Sequence, residues 1–360
     1  MKCGIVGLPN VGKSTLFNCL SSAKAVAANY PFATIDPNIG IVPVPDNRLQ
    51  KLSDLINPHK IEPAIVEIVD IAGLVKGASK GEGLGNKFLS NIRETNAIIH
   101  VLRCFDDDNI THVDSSVDPI RDKDVVEMEL QLKDLETLSK KRDNLKRIAA
   151  SGDKTAITQL SILNLYYVHL ESGKSARDLI VDNDEFIIDL QLLTNKPVLY
   201  VCNVDEKSIT GNDYTSLVID FVKNENAEVL IISAAIEADI NELDEASDKK
   251  DFLSEIGLDE PGVNKVIRSA YHLLGLHTFF TAGEKEVRAW TIRKGALAPE
   301  AAGVIHTDFE KGFIKAEVIS FQDRINLKTE NACREAGKIS IEGKGYEVID
   351  GDVIHFRFNV

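Results

Sequence analysis

The chain lacks the features that would direct a protein into a membrane or out of the cell. It contains no run of about eighteen apolar residues, the length that a membrane-spanning helix needs. Near the N-terminus, Gly4, Gly7, Pro9 and Lys13 interrupt any apolar core of a signal peptide. We therefore expect a protein that is neither exported nor membrane-bound, with a cytoplasmic location.

Cysteine is scarce, and its five copies do not form a pattern. They are odd in number, widely spaced and contain no C-x-x-C pair. This count and spacing argue for reduced thiols in a cytosol. We expect reduced thiols that take no part in the chemistry.

Basic residues are also in deficit. The 41 lysines and arginines face 56 aspartates and glutamates, which gives a formal net charge of −15. A charge of this sign excludes broad non-specific attraction to nucleic acid, and we expect no DNA partner. It remains compatible with a local basic patch.

Two separated blocks of apolar strands surround a helical segment. The runs KCGIVG, IVEIVDIAG and AIIHVLRCF, and later PVLYVCNV and EVLIISAA, are typical of buried parallel strands. Between the blocks, leucines at three- and four-residue spacings predict a helical hairpin that turns at Ser151-Gly152-Asp153. From His277 onward, short β-rich pieces separated by glycines predict a small mixed β domain. The predicted boundaries are 1–121 and 195–276 for the two parts of a nucleotide-binding domain, 122–194 for the hairpin and 277–360 for the C-terminal domain.

A phosphate-binding motif follows the first strand. The segment from Gly7 to Ser14 reads G-L-P-N-V-G-K-S, which satisfies G-x-x-x-x-G-K-[ST] in the required place between a strand and a helix. Its glycines let backbone N–H groups surround phosphate oxygens, and Lys13 adds a positive charge. We predict a P-loop NTPase in which Ser14 ligates Mg²⁺ and nucleotide is bound by Asn10, Val11, Gly12, Lys13, Ser14 and Thr15.

The second half of the site follows a later strand. Asp70-Ile71-Ala72-Gly73 is a D-x-x-G sequence. Asp70 is predicted to hold a water bound to Mg²⁺, and the Gly73 N–H is predicted to contact the γ-phosphate. The glycine-rich stretch 77–85 is interpreted as a switch loop, the alternative being an ordinary surface loop. Thr34 lies where a first switch would bring a hydroxyl to the metal.

The base-recognition sequence departs from that of guanine-binding proteins. The strand PVLYVC ends in Asn203-Val204-Asp205-Glu206, where N-K-x-D would be expected in a Ras-like GTPase. The lysine is missing, and Glu206 is one methylene too long for the same bidentate contact with guanine. Ser233 and Ala234, after the next strand, match a short element that lines the base pocket in this superfamily.

Together these segments resemble the Obg-like ATPase family, YchF subfamily, of the TRAFAC P-loop NTPases. The resemblance rests on G-L-P-N-V-G-K-S-T, on residues 70–85 with N-I-R-E-T following, and on F-F-T-A-G, V-R-A-W-T and H-T-D-F-E-K-G-F near the C-terminus. It implies an α/β fold with a Ras-like P-loop core, an inserted α-helical hairpin (coiled coil) and a C-terminal β-grasp TGS domain. It also implies slow hydrolysis of ATP, which is favoured over GTP, and backbone contact between Val204 and adenine.

Catalysis must use a residue other than the glutamine of Ras, because Leu74 occupies that place. Asn10 lies where related loops use an asparagine to hold K⁺, although it could equally stabilise the loop by hydrogen bonds. His112 matches a family histidine that is proposed to orient water from a mobile loop, although an exposed loop histidine can also be inert. Both are predicted catalytic residues.

The predicted partners are ATP, with GTP as a second candidate, and the ribosome or ribosomal RNA. The hairpin tip carries a basic group, Lys140, Lys141, Arg142, Lys146 and Arg147, which is either a solvated helix end or an RNA contact. The leading hypothesis is a monomeric switch ATPase that acts at the ribosome in translation or stress response. The alternatives are a conventional Obg-type GTPase and a nucleotide-binding regulatory adaptor whose hydrolysis is incidental.

Overall fold

The computed structural model describes residues 1–21, 38–73, 84–110, 112, 116–182, 185–225 and 227–359. Thr34, Leu74 and most of the glycine-rich stretch 77–85 lie outside these ranges. The chain forms two compact units, one of residues 1–41 with 67–270 and one of residues 42–66 with 271–360. In the described ranges, no helix has the length and apolar character needed to span a bilayer.

The described residues contain twelve strands and fourteen α-helices. The strands are β1 (Lys2–Val6), β2 (Ile39–Pro43), β3 (Lys60–Glu62), β4 (Ile65–Asp70), β5 (Ala97–Arg103), β6 (Val198–Asn203), β7 (Glu228–Ile232), β8 (Leu276–Ala282), β9 (Glu286–Arg293), β10 (Phe313–Ile319), β11 (Ser340–Glu342) and β12 (Val353–Phe358). The helices are α1 (Lys13–Ser21), α2 (Asn47–Ile56), α3 (Leu84–Arg93), α4 (Pro119–Ala149), α5 (Lys154–Glu171), α6 (Glu185–Ile188), α7 (Asp213–Val222), α8 (Ala234–Glu242), α9 (Ala246–Glu255), α10 (Gly262–Leu273), α11 (Ala298–Ile305), α12 (Thr307–Lys311), α13 (Phe321–Leu327) and α14 (Glu330–Glu335).

The first sheet confirms the buried parallel strands that the sequence predicts. Its order is β2-β4-β1-β5-β6-β7, and β1 pairs in parallel with both β4 and β5, as do β5 with β6 and β6 with β7. Every residue of β5 and β6 is buried, which explains why both strands are apolar without alternation. Because these strands are parallel, their carboxyl ends lie at one edge of the sheet, where ligands bind in α/β proteins.

The inserted helical hairpin is present as predicted. Asp118 accepts hydrogen bonds from the first N–H groups of α4, and Asp153 accepts from Ala156 N at 2.8 Å to begin α5. Between them Gly152 has a φ of +88°, a left-handed conformation that suits glycine. Leucines and tyrosines from both helices pack into a shared core, including Leu138, Leu145, Leu163 and Tyr166.

A buried polar network joins the base of the hairpin to β6. Glu127 of α4 pairs with Arg177 and accepts from the Tyr200 hydroxyl at 3.1 Å. Burial raises the pKa of Glu127, but Arg177 and Lys123 outweigh burial and bring it to about 2. Burial lowers the pKa of the neighbouring His100 to about 3. The network therefore holds Glu127 ionised and His100 neutral.

The second unit is built on a mixed sheet with the order β11-β10-β12-β8-β9-β3. β8 and β9 are antiparallel, as are β10 and β12, whereas β12 meets β8 in parallel. Helix α11 contributes Ala298, Ala301 and Ala302 to a core that includes Phe279 and Phe356 from the sheet. A mixed sheet that packs against helix α11 agrees with the predicted β-grasp fold.

Residues 42–66 pack with the C-terminal residues, although the sequence analysis included them in the predicted segment 1–121. Strand β3 extends the second sheet in parallel with β9. Arg48 of α2 donates to Asp350 Oδ2 at 2.6 Å while it also pairs with Asp46, and Asp350 in turn accepts from Thr278 N at 2.8 Å. The second unit is therefore discontinuous in sequence.

Candidate nucleotide-binding site

The predicted P-loop connects the end of β1 to the start of α1. The first helical hydrogen bond runs from Leu16 N to Gly12 O at 2.9 Å. The N–H groups of Lys13, Ser14 and Thr15 therefore belong to the first turn, which has no acceptors within the helix. Ser14 and Thr15 are exposed. N–H donors without partners inside the helix, together with the partial positive charge of this turn, suit an anion site.

The side chain of Asn203, at the end of β6, is hydrogen-bonded to the backbone of the P-loop. Its side-chain amide donates to Val11 O at 2.9 Å, and its side-chain oxygen accepts from Ala234 N at 2.9 Å. Its backbone carbonyl accepts from Cys104 N at 2.8 Å. One buried asparagine thus joins the P-loop, the start of α8 and the loop after β5, a role that its place in the motif did not reveal.

Two glycines of the P-loop are required by close approach. A Cβ at Gly12, which has a φ of +90°, would lie 2.2 Å from the Asn203 Nδ2 atom. A Cβ at Gly7 would lie 2.7 Å from the carbonyl oxygen of Val101 on β5. Asn10 has a φ of +63°, which asparagine tolerates better than most residues. The loop conformation therefore depends on residue types at fixed places of the motif.

The two halves of the predicted phosphate site come together. Lys13 Nζ lies 3.3 Å from Asp70 Oδ1 at the end of β4. A Cβ at Gly73 would lie 3.4 Å from the backbone nitrogen of Pro9, so this glycine lies against the P-loop. The hydroxyl of Ser14 and the carboxylate of Asp70 are hard oxygen donors of the kind that Mg²⁺ prefers. Thr34, the third predicted metal residue, lies outside the described residues.

The predicted base-pocket residues lie at the ends of β6 and β7. Val204 is buried and its N–H donates to Ile232 O at 2.8 Å. Ser233 is the N-cap of α8, and Ala234 is buried beside the P-loop through its bond to Asn203. Glu206 begins a short 3₁₀ helix and is exposed. Asn203 therefore connects directly to the P-loop and Ala234 connects to it through Asn203, whereas Glu206 lies on the surface.

His112 is buried, which differs from the exposed position that its loop suggested. Its Nε2 lies 2.8 Å from Asp122 Oδ2 in the first turn of α4, and the other oxygen of Asp122 accepts from Arg121 at 3.1 Å. The carboxylate fixes the orientation of the imidazole, as in other histidine–aspartate pairs.

Arg103 shapes the loop that leads to His112. This arginine is 1% exposed, and its guanidinium donates to the carbonyl oxygens of Phe105, Asp107 and Ile110 at 3.1, 3.1 and 2.9 Å. In the sequence, the only sign that Arg103 organises this loop was its position as a charged residue at the end of the apolar run AIIHVLR. The sequence analysis did not use it.

Two family models match separate parts of the chain. The model named MMR_HSR1, described as a 50S ribosome-binding GTPase, matches residues 2–149. The model named YchF-GTPase_C, described as a protein of unknown function (DUF933), matches residues 276–359. The first match covers the P-loop and extends to the end of the longer hairpin helix, and the second covers the β-grasp domain.

Full-length relatives agree with these matches. The chain is 55% identical to the ribosome-binding ATPase YchF of Haemophilus ducreyi and 52% identical to that of Bacillus subtilis, over 100% of this chain and 99% and 100% of the relatives. The structure of the Schizosaccharomyces pombe YchF GTPase superimposes with a TM-score of 0.90 at 40% identity, covering 99% of this chain and 97% of that one. The chain therefore belongs to the YchF family of Obg-like P-loop NTPases.

Proposed function

We propose that this protein is a ribosome-binding ATPase that binds ATP with Mg²⁺ and hydrolyses it slowly. The observation that carries the proposal is the Asn203 clamp, which joins the phosphate-binding loop to the segment at the ends of β6 and β7. A nucleotide whose phosphates lie at the P-loop would extend its base toward that segment. Relatives of 52% to 55% identity over their whole lengths carry the name ribosome-binding ATPase, which supports the same function.

The base-pocket sequence favours adenine over guanine. Because the Val204 N–H donates to Ile232 O, the Val204 carbonyl is the backbone group suited to accept from the amino group of adenine. Glu206 is exposed and does not reproduce the aspartate of N-K-x-D. Asn203, Ser233 and Ala234 would complete the wall of the base pocket, and Gly73 would contact the γ-phosphate.

A conventional GTPase is the second candidate, and the S. pombe relative, which is called a YchF GTPase, favours it. Calorimetric titration with ATP and with GTP, in Mg²⁺ buffer containing K⁺, separates the two. We expect ATP to bind about tenfold more tightly, which corresponds to about 1.4 kcal/mol. Tighter binding of GTP would overturn the proposal for adenine.

The residues at the phosphate end fit Mg²⁺. Ser14 and Asp70 offer oxygen ligands beside the P-loop, and Thr34 would supply a third. When bound, Mg²⁺ would polarise the phosphate oxygens as a Lewis acid. Lys13 neutralises charge on the β- and γ-phosphates, and the first-turn N–H groups of α1 orient them. We expect removal of Mg²⁺ with EDTA to abolish turnover.

Attack on the γ-phosphate requires an oriented water. His112 is the residue that we propose orients this water. It would do so either after its hydrogen bond to Asp122 is broken or while that bond is kept. Asn10, in the P-loop, is the proposed ligand of a K⁺ ion that adds positive charge near the phosphates. If K⁺ serves in this way, replacing it with Na⁺ should lower turnover in the wild type and change little in Asn10→Ala.

The hairpin tip is the proposed ribosome contact. Arg142 stacks on Tyr167 with 3.8 Å between the guanidinium carbon and the ring centre, so it stabilises the hairpin. Lys140, Lys146 and Arg147 are exposed, and they leave a basic end on an acidic protein. Replacing these three by alanine should reduce co-sedimentation with ribosomes, whereas alanine at the half-buried Lys249 and the exposed Lys250 should not.

A regulatory adaptor with incidental hydrolysis is the remaining alternative. Lys13→Ala removes the charge at the phosphates without removing the hairpin or the C-terminal domain. If a strain carrying Lys13→Ala behaves like the deletion strain, nucleotide use is essential. If it behaves like the wild type, the adaptor function is correct.

A further inference from the structure

Helix α7 is bonded at its N-terminal end to the loop that leads to His112. Asn212, the N-cap of α7, donates from its side-chain amide to Cys104 O at 2.7 Å. In the first turn of α7, the Tyr214 hydroxyl donates to the carboxylate of Asp106, with oxygen–oxygen distances of 3.0 and 3.2 Å. The start of the loop is therefore fastened to α7 at two points.

The loop is held in one conformation between these points and His112. The buried guanidinium of Arg103 donates to three carbonyl oxygens of the loop, those of Phe105, Asp107 and Ile110. Polar groups that are satisfied together in this way make a segment rigid. A displacement of the loop at its start would therefore carry through to Ile110, two residues before His112.

The C-terminal end of α7 is bonded to α4, the helix that carries Asp122. Lys123, the next residue of α4, is 4% exposed, and its Nζ lies 2.9 Å from a carboxylate oxygen of Glu225, just beyond α7. The same ammonium lies 5.2 Å from the ring centre of Phe221 in the last turn of α7 and 5.5 Å from that of Tyr200 on β6. The first turn of α4 is thus fixed against the C-terminal end of α7.

Lys123 is needed to balance the charges at this contact. The Tyr200 hydroxyl lies 3.1 Å from a carboxylate oxygen of Glu127 and 3.0 Å from one of Glu225, but it has a single hydrogen to donate. Arg177 pairs with Glu127, and Lys123 pairs with Glu225. Without Lys123, the carboxylate of Glu225 would lose its cation, so the contact between α4 and α7 would weaken.

His112 and Asp122 come from these two different elements, a loop and a helix. Their contact of 2.8 Å requires that both elements keep their positions on a common support. Helix α7 has ten residues, a length of about 15 Å, and it is bonded to the loop at one end and to α4 at the other. It is therefore placed to set the distance between the two side chains.

We propose that α7 positions His112 for hydrolysis, with Tyr214 as the positioning residue at the loop and Lys123 as the positioning residue at α4. The inference rests on the proposed function, in which His112 orients the attacking water. Neither positioning residue touches the nucleotide in this account, so their loss should affect the chemical step and not the binding of ATP.

The test measures phosphate release from ATP by full-length Tyr214→Phe and Lys123→Met. Tyr214→Phe removes one hydroxyl and keeps the ring, so its melting temperature should stay within about 2 °C of the wild type. We expect each variant to lower kcat about threefold to tenfold with KM unchanged, because a small misplacement of the imidazole affects the transition state alone.

Each variant has a matched control. Tyr346→Phe also removes a tyrosine hydroxyl that donates to an aspartate, Asp352, at 2.8 Å, but it lies in the second unit. Lys133→Met also removes an ammonium of α4 that is paired with a glutamate, Glu136, at 2.6 Å, but it lies ten residues beyond Lys123. Both controls should keep the wild-type kcat.

The His112→Ala background separates positioning from general damage to the fold. If α7 acts through His112, adding Tyr214→Phe or Lys123→Met to His112→Ala should lower kcat no further. A further fall, or wild-type kcat in both single variants while His112→Ala is slow, would refute positioning by α7. Wild-type turnover of His112→Ala itself would refute the role of His112 in the proposed function, and with it any positioning through that residue.

Discussion

The α-carbon of Gly12 approaches the side-chain amide of Asn203 so closely that a methyl group at residue 12 would lie 2.2 Å from the amide nitrogen. The same amide donates to Val11 O, and its oxygen accepts from Ala234 N. A glycine and an asparagine separated by about half of the chain therefore fix the shape of the phosphate loop together. The loop is pre-organised by protein contacts, which lowers the cost of ordering it around a nucleotide.

Asn203→Ala should weaken ATP binding more than it destabilises the fold. It leaves the Val11 carbonyl and the Ala234 N–H without their buried partner, and the loop loses its support. We expect the affinity for ATP to fall about 10- to 100-fold, or about 1.4 to 2.8 kcal/mol. Isothermal titration calorimetry measures this directly.

Two further variants test the cause. Asn203→Asp keeps the acceptor for Ala234 N but places a carboxylate oxygen against the Val11 carbonyl, so it should be at least as damaging as alanine. Asn96→Ala removes an exposed asparagine that accepts from Lys2 N in the same unit, and it should bind ATP like the wild type. Normal ATP affinity in Asn203→Ala would show that the clamp has no part in binding.

Asp122→Asn should lower turnover without weakening ATP binding, if His112 orients the attacking water. The carboxylate fixes the orientation of the imidazole through its hydrogen bond with Nε2. A neutral amide in its place makes a weaker hydrogen bond with the imidazole and so holds the ring less firmly. We expect kcat to fall about tenfold with KM unchanged, in the range typical for loss of such supporting groups. Steady-state phosphate release at saturating Mg²⁺ and K⁺ gives both constants.

The control for this variant lies two residues further along α4. Asp124→Asn removes an exposed carboxylate that only approaches Lys123 at 4.0 Å, and it should leave kcat unchanged. Because the two partners would act as a unit, Asp122→Asn combined with His112→Ala should be no slower than His112→Ala alone. Full activity of His112→Ala would instead make the pair purely structural.

Local sequence patterns were sufficient for the parts of the site that are contiguous in the chain. The P-loop, Asp70 with Gly73 and the hairpin turn at Gly152 are each encoded within a few residues, because strand–loop–helix and helix–turn–helix units depend on nearby residue types. Lys13 and Asp70 do meet, as the motifs predict.

Features that depend on distant pairing were not predictable in the same way. Arg48 and Asp350 are 302 residues apart, and neither carries a motif. Strand β3 has only three residues, too few to show an alternating pattern. The burial of His112 depends on Asp122 and on the loop that Arg103 holds, so a loop position alone suggested exposure.

Stability at mildly acidic pH should depend on His100. Burial lowers its pKa to about 3 in the folded protein, whereas an unfolded histidine titrates near about 6.5. Between these values the unfolded state binds a proton that the folded state does not, so the free energy of unfolding falls as pH falls through this range. At pH 5 the contribution is about 2 kcal/mol relative to neutral pH.

Urea unfolding of the wild type and His100→Leu at pH 7.5 and pH 5.0 measures this contribution. The wild type should lose about 2 kcal/mol more than the variant on acidification, because leucine has no proton to gain. Replacing the exposed His306 by leucine should preserve the wild-type pH dependence. Identical pH dependence of the wild type and His100→Leu would mean that the buried imidazole does not remain neutral.

The C-terminal domain should need residues 42–66 in order to fold. These residues supply strand β3, which pairs with β9, and helix α2, whose Arg48 bonds to Asp350 and lies 5.4 Å from the ring centre of Phe280. Without them, residues 271–360 would expose the edge of β9 and leave Asp350 without its guanidinium partner. We expect residues 271–360 alone to show no cooperative thermal transition, whereas residues 42–66 joined to 271–360 by a glycine–serine linker should unfold cooperatively.

Arg48→Ala in the full-length chain tests the same dependence without cutting it. Loss of the charged hydrogen bonds to Asp46 and Asp350 should lower the stability of the second unit by about 1.5 to 3 kcal/mol, read from Trp290 fluorescence during urea unfolding. Arg334→Ala, an exposed arginine of the same unit, should have an effect within about 0.5 kcal/mol. A cooperative transition in residues 271–360 alone, with a midpoint equal to that of the linked protein, would show that the C-terminal segment is complete by itself and that residues 42–66 only cover it.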